Sequence, residues 1–370
     1  MSIKIFHTSD NHLGMKFAKY PDDIRDKLID ARLGSIRKMV EFANQNAANL
    51  FVVAGDLFNS LNIPEKLVKA ALDELNRFTG VVLVLPGNHD YYSGNEKLWK
   101  NFIDHMSDEV ILLKEFKPYD LSEYGHNAVV YPAHCDSKHS KSNNIAWIST
   151  QKPDENRINI GIAHGAFEGI TPDLEGNYFY MSRAELTSIP MDVWLIGHTH
   201  VPYPADGKPS EDRIYNAGTH EPDGMNYRYE GSGFLIEIDE NKNINSSRYI
   251  SGEYRFEDIS LKIDSIEDLE SLISMYSNGE NANKLLRVKI SGMLDRDFYE
   301  IKNVKYDELK SYLAYLDVAD DELKIRLTKE DIGDYFIEGS FPHKMLNKLG
   351  NDEEALQIAF EMIEDSRRGV

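Results

Sequence analysis

The sequence has 370 residues, of which 41% are hydrophobic and 28% charged. This balance excludes a disordered or fibrous chain and accommodates two domains. The formal net charge of −21 excludes a broad basic surface for nucleic acid, although a local patch or a basic partner could still supply phosphate contacts. No apolar run reaches the ~20 residues of a membrane helix, the N-terminus turns polar too quickly for a signal peptide, and Cys135 is the only cysteine. We therefore expect a cytoplasmic protein with no membrane segment and no disulfide framework.

Residues 1–255 alternate apolar strands with helices, which predicts an α/β fold. A long helix is expected from Asp23 to about Ala47, because apolar residues recur there at helical spacing. A second, Glu65–Phe78, begins after Pro64. The predicted strands are Ile3–Phe6, Leu50–Ala54, Val81–Leu85, Ala128–Tyr131, Ile158–Ala163, Val193–Ile196, Arg213–Tyr215, Gly233–Ile238 and Ser247–Tyr254. The β-rich end of this region indicates that part of the sheet system is antiparallel.

Residues 256–370 are predicted to form a smaller α/β domain that is about twice as acidic per residue. They hold 15 Lys and Arg against 26 Asp and Glu, compared with 26 against 36 in residues 1–255. The predicted strands are Ser260–Ile263, Leu285–Ile290 and Leu323–Leu327, and the predicted helices are Ile266–Met275, Tyr306–Leu316 and Asn351 to about Ser366. The apolar stripe of the last helix either packs in a core or docks a partner.

Metal-type side chains directly follow the ends of five predicted strands. In chain order the sets are Asp10 with His12, Asp56, Asn88 with His89 and Asp90, His164, and His198 with His200. Ligands gather outside the carboxyl ends of strands in open α/β sheets, so five such loops can converge on one site. Each piece alone is weak, because Asp-x-His and Gly-Asp also occur in ordinary turns. Their conjunction, each at a strand end, predicts a functional site.

The residue types in these loops predict two metal ions. Carboxylate, amide oxygen and imidazole suit manganese, iron or zinc. Seven candidate ligands are too many for one tetrahedral ion, and two ions about 3.5–4 Å apart can clamp an in-line displacement at phosphorus. Asp56 stands alone in its loop and is the expected bridge, because one carboxylate can bind each ion with one oxygen.

These five blocks resemble the calcineurin-like metallophosphoesterase superfamily. Within it, the segments 8–14 (TSDNHLG) and 55–58 (GDLF) are similar to the SbcD-type DNA repair exonucleases. The segments 215–218 and 233–237 fit the closing strands of that family, and the likeness covers roughly residues 1–255. The C-terminal third is similar, less specifically, to the capping region of bacterial YhaO-type relatives. The resemblance implies two mixed β-sheets flanked by helices, with a smaller C-terminal α/β capping domain.

The resemblance also implies roles for single residues. The first ion would be held by Asp10, His12, Asp56 and His200, and the second by Asp56, Asn88, His164 and His198. His89 would lie just outside the ligands and protonate the leaving oxygen, with Asp90 orienting it. The family typically uses manganese, so two Mn²⁺ ions are implied. Ligand histidines must be neutral, so activity is expected to fall below about pH 6.

One position departs from part of the family. Several archaeal and eukaryotic members carry a second histidine just after the Asp-Leu-Phe segment, where this sequence has Asn59. That histidine is associated with exonuclease action on duplex ends. The departure therefore puts that mode of cleavage in doubt and leaves metal binding intact.

Three functions are weighed on this basis. The first is a metal-dependent DNA nuclease, exonuclease or endonuclease, that works with an SMC-like, SbcC-type ATPase bound through the C-terminal region, and that forms a homodimer as family members often do. The second is a phosphodiesterase or phosphatase for a small molecule such as a cyclic nucleotide. It needs the same ligands but no 115-residue addition. The third, a scaffold without chemistry, is disfavoured because every expected ligand and His89 are present. The seven remaining histidines and Cys135 are expected to be structural or exposed.

Overall fold

The computed structural model describes residues 2–170 and 176–368, and the chain divides into two compact units, Met1–Arg255 and Phe256–Val370. Within the described residues, no helix combines the length and hydrophobicity that a membrane crossing requires. The fold is mixed α/β, with two mixed sheets in the first unit and a third sheet in the second. The fold class predicted from the sequence is confirmed.

The first sheet of the first unit has six strands in the order β11-β10-β1-β2-β3-β4. These are β1 (Ile3–Thr8), β2 (Leu50–Ala54), β3 (Val81–Leu85), β4 (Val110–Leu112), β10 (Ser232–Ile238) and β11 (Ile244–Ile250). Strands β1 to β4 run parallel, whereas β10 is antiparallel to both β1 and β11. The late antiparallel pair expected from the sequence is therefore present, although β11 begins and ends earlier than predicted.

The second sheet has five strands in the order β5-β6-β7-β8-β9. These are β5 (Tyr119–Asp120), β6 (Ala128–Ala133), β7 (Ile158–His164), β8 (Val193–Gly197) and β9 (Ile214–Asn216). Strands β6 to β9 are parallel, and β5 is antiparallel to β6. Both sheets therefore have a block of parallel strands whose carboxyl ends can supply loops to one site.

The two sheets pack face to face, and helices cover their outer faces. Ile5 of β1 and Val52 of β2 point into the inter-sheet core with Ile160 and Leu195 of the second sheet. The next residue along β1, Phe6, points outward, as strand alternation requires. The covering helices are α1 (Asp22–Gln45), α2 (Glu65–Leu75), α3 (Lys97–His105) and the short α4 (Arg183–Ser188). This double layer fixes the strand ends that carry the candidate ligands.

The second unit contains a three-stranded sheet with helices packed on it. Its elements are β12 (Arg255–Ile263), α5 (Ile266–Tyr276), β13 (Lys284–Leu294), α6 (Arg296–Lys310), β14 (Tyr315–Ile325), α7 (Ile332–Tyr335), α8 (Phe341–Leu349) and α9 (Glu353–Arg368). Leu272 of α5 and Leu309 of α6 pack against Val288 of β13. In α9, Leu356 and Phe360 pack in a separate small cluster, so that side of the helix serves as core.

One predicted element of the second unit is wrong, and a second is only partly confirmed. Tyr306–Leu316 was expected to be one helix, but α6 ends at Lys310 and β14 begins at Tyr315. Leu309, Leu313 and Leu316 have helical spacing, yet Leu316 pairs with Leu286 of β13 in the sheet. Sheet pairing overrides the local helical pattern there. The predicted strand Leu323–Leu327 overlaps the end of the same β14, which stops at Ile325.

Candidate metal centre

The five predicted loops meet at the carboxyl ends of β1, β2, β3, β7 and β8. Backbone hydrogen bonds join neighbouring loops: Asp10 N donates to Gly55 O (3.1 Å), His12 N donates to Asp56 O (2.9 Å) and Gly165 N donates to Gly197 O (3.2 Å). Four of the candidate ligands have positive φ angles, an arrangement that costs energy and concentrates at functional sites. These are Asp10, His12, Asp56 and His198.

Two glycines make the close approach of the loops possible. A Cβ atom at Gly55 would overlap Nδ1 of His164, and one at Gly87 would overlap the carboxylate of Asp56. Gly55 also has a φ of +92°, which L side chains rarely adopt. The loops therefore need glycine at both positions to bring the polar side chains together.

The first group of side chains contains Asp10, His12 and His200. Their potential ligand atoms lie within 4.8 Å of one another. The Nε2 atoms of His12 and His200 are 3.1 Å apart, and each is 3.9 Å from Oδ1 of Asp10. Asp10 and His12 are buried, whereas the His200 side chain is 30% exposed.

The second group contains Asn88, His164 and His198. Oδ1 of Asn88 lies 3.1 Å from Nε2 of His164 and 3.0 Å from Nδ1 of His198. Nδ1 of His164 lies 2.9 Å from the carbonyl of Ala54, which turns its Nε2 toward the site. Three donor atoms from three loops thus point toward the same small region.

Asp56 lies between the two groups. Its Oδ2 is 3.7 Å from Nε2 of His12 and 3.4 Å from Nε2 of His164. One carboxylate therefore faces a histidine of each group, as the predicted bridging role requires. The described donors are carboxylate oxygens, an amide oxygen and imidazole nitrogens, a set that fits divalent ions of the manganese, iron and zinc type. The residues present fit a pair of ions.

His89 borders both His12 and Asp56. Its ring lies edge-on to that of His12 with centroids 4.8 Å apart, and its backbone N–H donates to Oδ1 of Asp56 at 2.8 Å. Its Nδ1 is 3.2 Å from the carbonyl of Asn59, which leaves Nε2 for another partner. His89, His198 and His200 are partly exposed, so substrate can reach the site from their side.

Residues 3–202 match the family model described as calcineurin-like phosphoesterase. The chain belongs to this family. It is 26% identical over 210 residues to the uncharacterized metallophosphoesterase YhaO of Bacillus subtilis (strain 168). The matched region covers 54% of this chain and 48% of that relative. The chain therefore spans about half the length of that relative.

Two solved structures are also similar to this chain, at low sequence identity. The Thermus thermophilus protein TT1561 has 10% sequence identity and a TM-score of 0.37, and the likeness covers 67% of this chain and 99% of that one. A dimetal phosphatase from Danio rerio has 10% identity and a TM-score of 0.35, with the same coverage of both chains.

The structure corrects the role predicted for Asp90 in the phosphoesterase. Asp90 was expected to orient His89, but its carboxylate accepts hydrogen bonds from the backbone N–H of Gly87 (2.7 Å) and Phe58 (2.9 Å). Its side chain is buried beneath the loops, and the carbonyl of Asn59 contacts His89 instead. Burial and the nearby Asp56 raise the pKa of Asp90 to about 8. Asp90 therefore positions two ligand loops.

Burial and charge have opposing effects on the pKa values of the candidate ligands. Burial disfavours a charged His164, but the negative charges of Asp56 and Asp10, together with hydrogen bonding, outweigh burial and raise the pKa of His164 to about 9. Burial lowers the pKa of His198 to about 3 and raises that of Asp10. Because ions bind neutral imidazole, metal binding at His164 displaces a proton.

Two further residues support the site and were not identified from the sequence. Oδ2 of Asp223 lies 2.7 Å from Nδ1 of His200 and so turns Nε2 of that ring toward His12. Burial alone would raise the pKa of Asp223, but the hydrogen bond from His200 together with the positive charges of His200 and Arg32 outweighs burial and lowers that pKa to about 2. Arg32 of α1 is fully buried and donates to the carbonyls of Asn11 (2.8 Å) and Asp10 (3.3 Å). Asp223, three residues after His220, does not directly follow a predicted strand. The pattern that identified the other loops therefore could not identify it.

Among the described residues, the groups that could hold a metal ion include none of the other histidines and not the cysteine. His7, His134 and His220 are buried, and burial lowers the pKa of each. Cys135 is also buried, which raises the pKa of its thiol well above the usual range and makes it a poor nucleophile. These positions are consistent with structural roles.

Proposed function

We propose that this phosphoesterase is a nuclease that hydrolyses DNA phosphodiester bonds with two divalent metal ions, Mn²⁺ being the expected metal. The observation that carries the proposal is the position of His89, which borders the paired ligand groups on their solvent-facing side. A phosphodiester reaching the groups from that side would have the imidazole next to it. This arrangement suits a reaction that must stabilise a charged phosphate and protonate a leaving oxygen.

The side chains divide the work of the proposed reaction. Asp10, His12, Asp56 and His200 would hold one ion, and Asp56, Asn88, His164 and His198 the other. Such ions supply Lewis-acid activation of the phosphate and of the attacking water. The hydrogen bond to the Asn59 carbonyl holds the His89 ring by Nδ1, so Nε2 delivers the proton to the leaving oxygen.

The choice of DNA is supported by sequence. The segments 8–14 and 55–58 are similar to those of SbcD-type nucleases, and the chain carries a second unit of 115 residues that a minimal small-molecule enzyme would not need. Asn59 stands where several relatives of that type have a histidine associated with cutting duplex ends. We therefore expect cleavage of single strands, hairpins or internal bonds to exceed resection of blunt ends.

Cleavage of end-labelled single-stranded, hairpin and duplex DNA with Mn²⁺ tests the proposal. His89→Ala should lower the rate about 10²–10⁴-fold, the usual contribution of a general acid, while metal content stays the same. His105→Ala is the matched control, because His105 is partly exposed and pairs with Glu65 on the helical side of the unit. DNA left intact by wild type, or cut equally by His89→Ala, would contradict the assignment.

The second candidate is a phosphodiesterase for a small molecule, and the net charge of −21 favours it mildly because an acidic chain repels polyanions. The same metal-loaded preparation would be assayed with bis(p-nitrophenyl) phosphate and cyclic nucleotides. Turnover of a cyclic nucleotide far above that of DNA would favour this candidate over the nuclease.

We also propose that the C-terminal unit docks an SMC-like, SbcC-type ATPase through α9. One side of α9 packs in the small cluster, whereas Ile358 is 53% and Met362 67% exposed one turn apart on the same helix. Substituting both by Asp should abolish co-purification with the co-expressed ATPase, and Met275→Asp on α5, 61% exposed, should not. Full complex formation by the double variant, or by a chain lacking residues 340–370, would refute this docking.

A further inference from the structure

Three aromatic rings form a stack beside the metal centre, and we call Phe116, His134 and Tyr92 the aromatic stack. The rings of Phe116 and His134 are nearly parallel, with centroids 4.3 Å apart and planes inclined by 15°. Tyr92 meets His134 edge-on at 6.3 Å. His134 is buried, and burial lowers its pKa to about 4, so its ring is neutral at pH 7 and stacks as an ordinary aromatic.

The outer ring of the stack is unusually exposed. Among the described residues of the first unit, Phe116 is the most exposed large apolar side chain, at 42%. One face of its ring is covered by His134, so a planar group of a ligand could cover the exposed surface. Aromatic rings held in this way stack with nucleobases regardless of base identity, because every base has a flat π-face.

Hydrogen bonds connect the stack directly to the metal-binding loops. Cys135, next to His134, accepts a hydrogen bond from Tyr92 N (2.9 Å) and donates from its own N–H to Pro86 O (3.0 Å). Its Sγ donates to the carbonyl of His164 at 3.4 Å. Tyr92 itself follows His89 by three residues. A strand whose phosphate reaches His89 therefore passes close to the stack.

A lysine side chain lies at the stack, next to Tyr92. Nζ of Lys114 is 5.7 Å from the centroid of the Tyr92 ring, and within residues 2–170 and 176–368 no ion pair of Lys114 is found. The neighbouring Glu115 is instead paired with Lys117 at 2.8 Å. Lys114 thus places an ammonium at the Tyr92 end of the aromatic stack, and single-strand binding combines such cations for the backbone phosphate with aromatic rings for the base.

We infer that the aromatic stack binds an unpaired nucleobase of the DNA substrate on the exposed ring of Phe116, with Lys114 directed toward an adjacent phosphate. This inference rests on the proposed nuclease function and deepens it. Bases inside a duplex have both faces covered by their neighbours, so the stack favours single-stranded or frayed DNA over the interior of a duplex. The base bound there is a short distance along the strand from the bond that is cut.

The inference is tested by comparing kcat/KM of Phe116→Ala for a 30-nucleotide single strand and for bis(p-nitrophenyl) phosphate, both with Mn²⁺. The kcat/KM for the single strand divided by that for the ester should be about ten-fold or more lower in Phe116→Ala than in wild type. This is the usual effect of losing one base–aromatic stack. Phe116→Trp should keep the wild-type ratio because indole also stacks. Tyr124→Ala is the control, since Tyr124 is 37% exposed and precedes β6, at the sheet edge opposite His134.

A second measurement removes the base in place of the ring. Stable abasic nucleotides are placed at one position at a time along the single strand. One position should weaken kcat/KM of wild type by about ten-fold and have no further effect in Phe116→Ala, since both changes delete the same contact. Additive losses at every position would overturn the inference, even if Phe116→Ala were weakened through misfolding.

The outcomes separate this inference from the proposed function. DNA cleavage by wild type with an unchanged ratio in Phe116→Ala removes the stack as a binding site and leaves the nuclease intact. Hydrolysis of the small ester without any DNA cleavage by wild type removes both.

Discussion

Asp223→Asn should lower the affinity for one of the two metal ions and leave the affinity for the other unchanged. Oδ2 of Asp223 is 2.7 Å from Nδ1 of His200, and this contact turns the opposite nitrogen toward Asp10 and His12. An asparagine keeps the size of the side chain but loses the charge that supports the imidazole. Loss of such a partner costs about 10–100-fold in metal affinity, or about 1.4–2.7 kcal/mol.

The assay is a calorimetric Mn²⁺ titration of chelator-stripped protein. Two binding steps are expected in wild type, and only one should be weaker in Asp223→Asn, because Asn88, His164 and His198 do not contact Asp223. Asp192→Asn is the matched control, since Asp192 is also buried and paired, with Lys242 at 3.0 Å, but it lies at the amino end of β8. If both binding steps were unchanged in Asp223→Asn, Asp223 would not support His200 as a metal ligand.

Four further outcomes are expected. Gly87→Ala should lower phosphoesterase activity about 10²-fold by displacing Asp56, whereas Gly34→Ala, whose Cβ meets nothing within 4 Å in helix α1, should add about 0.5–1 kcal/mol to the unfolding free energy in urea. Arg32→Met should lower the free energy of unfolding by about 3 kcal/mol, because it leaves buried carbonyls and carboxylates without their cation. A loss below about 1 kcal/mol would contradict this expectation, because losses that small are typical of substitutions at the surface. Burial lowers the pKa of His7 to about 3, below its value in the unfolded chain. The contribution of His7 to the free energy of unfolding is therefore present above pH 6.5 and is lost as the pH falls. His7→Leu should therefore remove about 2 kcal/mol of the stability difference between pH 7 and pH 5. Chelation should lower thermal stability, and Mn²⁺ at a hundred times its Kd should restore about 2.7 kcal/mol; equal melting curves with and without metal would exclude specific binding.

Most of the parallel strands were predictable because each is a short buried run, whereas the three-residue parallel strand β4 was not predicted. Leu50–Ala54 and Val81–Leu85 have the same limits in the sequence analysis and in the structure. Strand ends in a parallel block lie at one edge, so the convergence of Asp56 with Asn88 follows from the order of strands alone. The sequence pattern is strong where burial on both faces leaves few alternatives.

Contacts that depend on loop paths were not predictable. Asp223 follows β9 by seven residues, and only the folded loop brings it to His200. Asp90 adjoins His89 in sequence, which suggested that it orients that ring, but its side chain points under the loop to the backbone of Phe58. In the second unit, Leu316 fits a helix by spacing and a strand by its pairing partner. Local patterns cannot decide between such alternatives when a distant segment supplies the deciding contact.

The aromatic stack shows the same limit. Phe116 and His134 lie in loops after β4 and β6, which are in different sheets, and neither loop has a motif that marks it. Their contact arises only because the two sheets pack with the carboxyl ends of their parallel strands at a shared rim.

The central claim is a binuclear metal centre formed by the five loops, and anomalous diffraction from crystals of the Mn²⁺-loaded protein tests it most directly. We expect two manganese peaks about 3.5–4 Å apart. One should lie among Asp10, His12 and His200 and the other among Asn88, His164 and His198, with Asp56 between them. A single peak, or manganese bound elsewhere on the chain, would exclude a binuclear centre formed by these five loops.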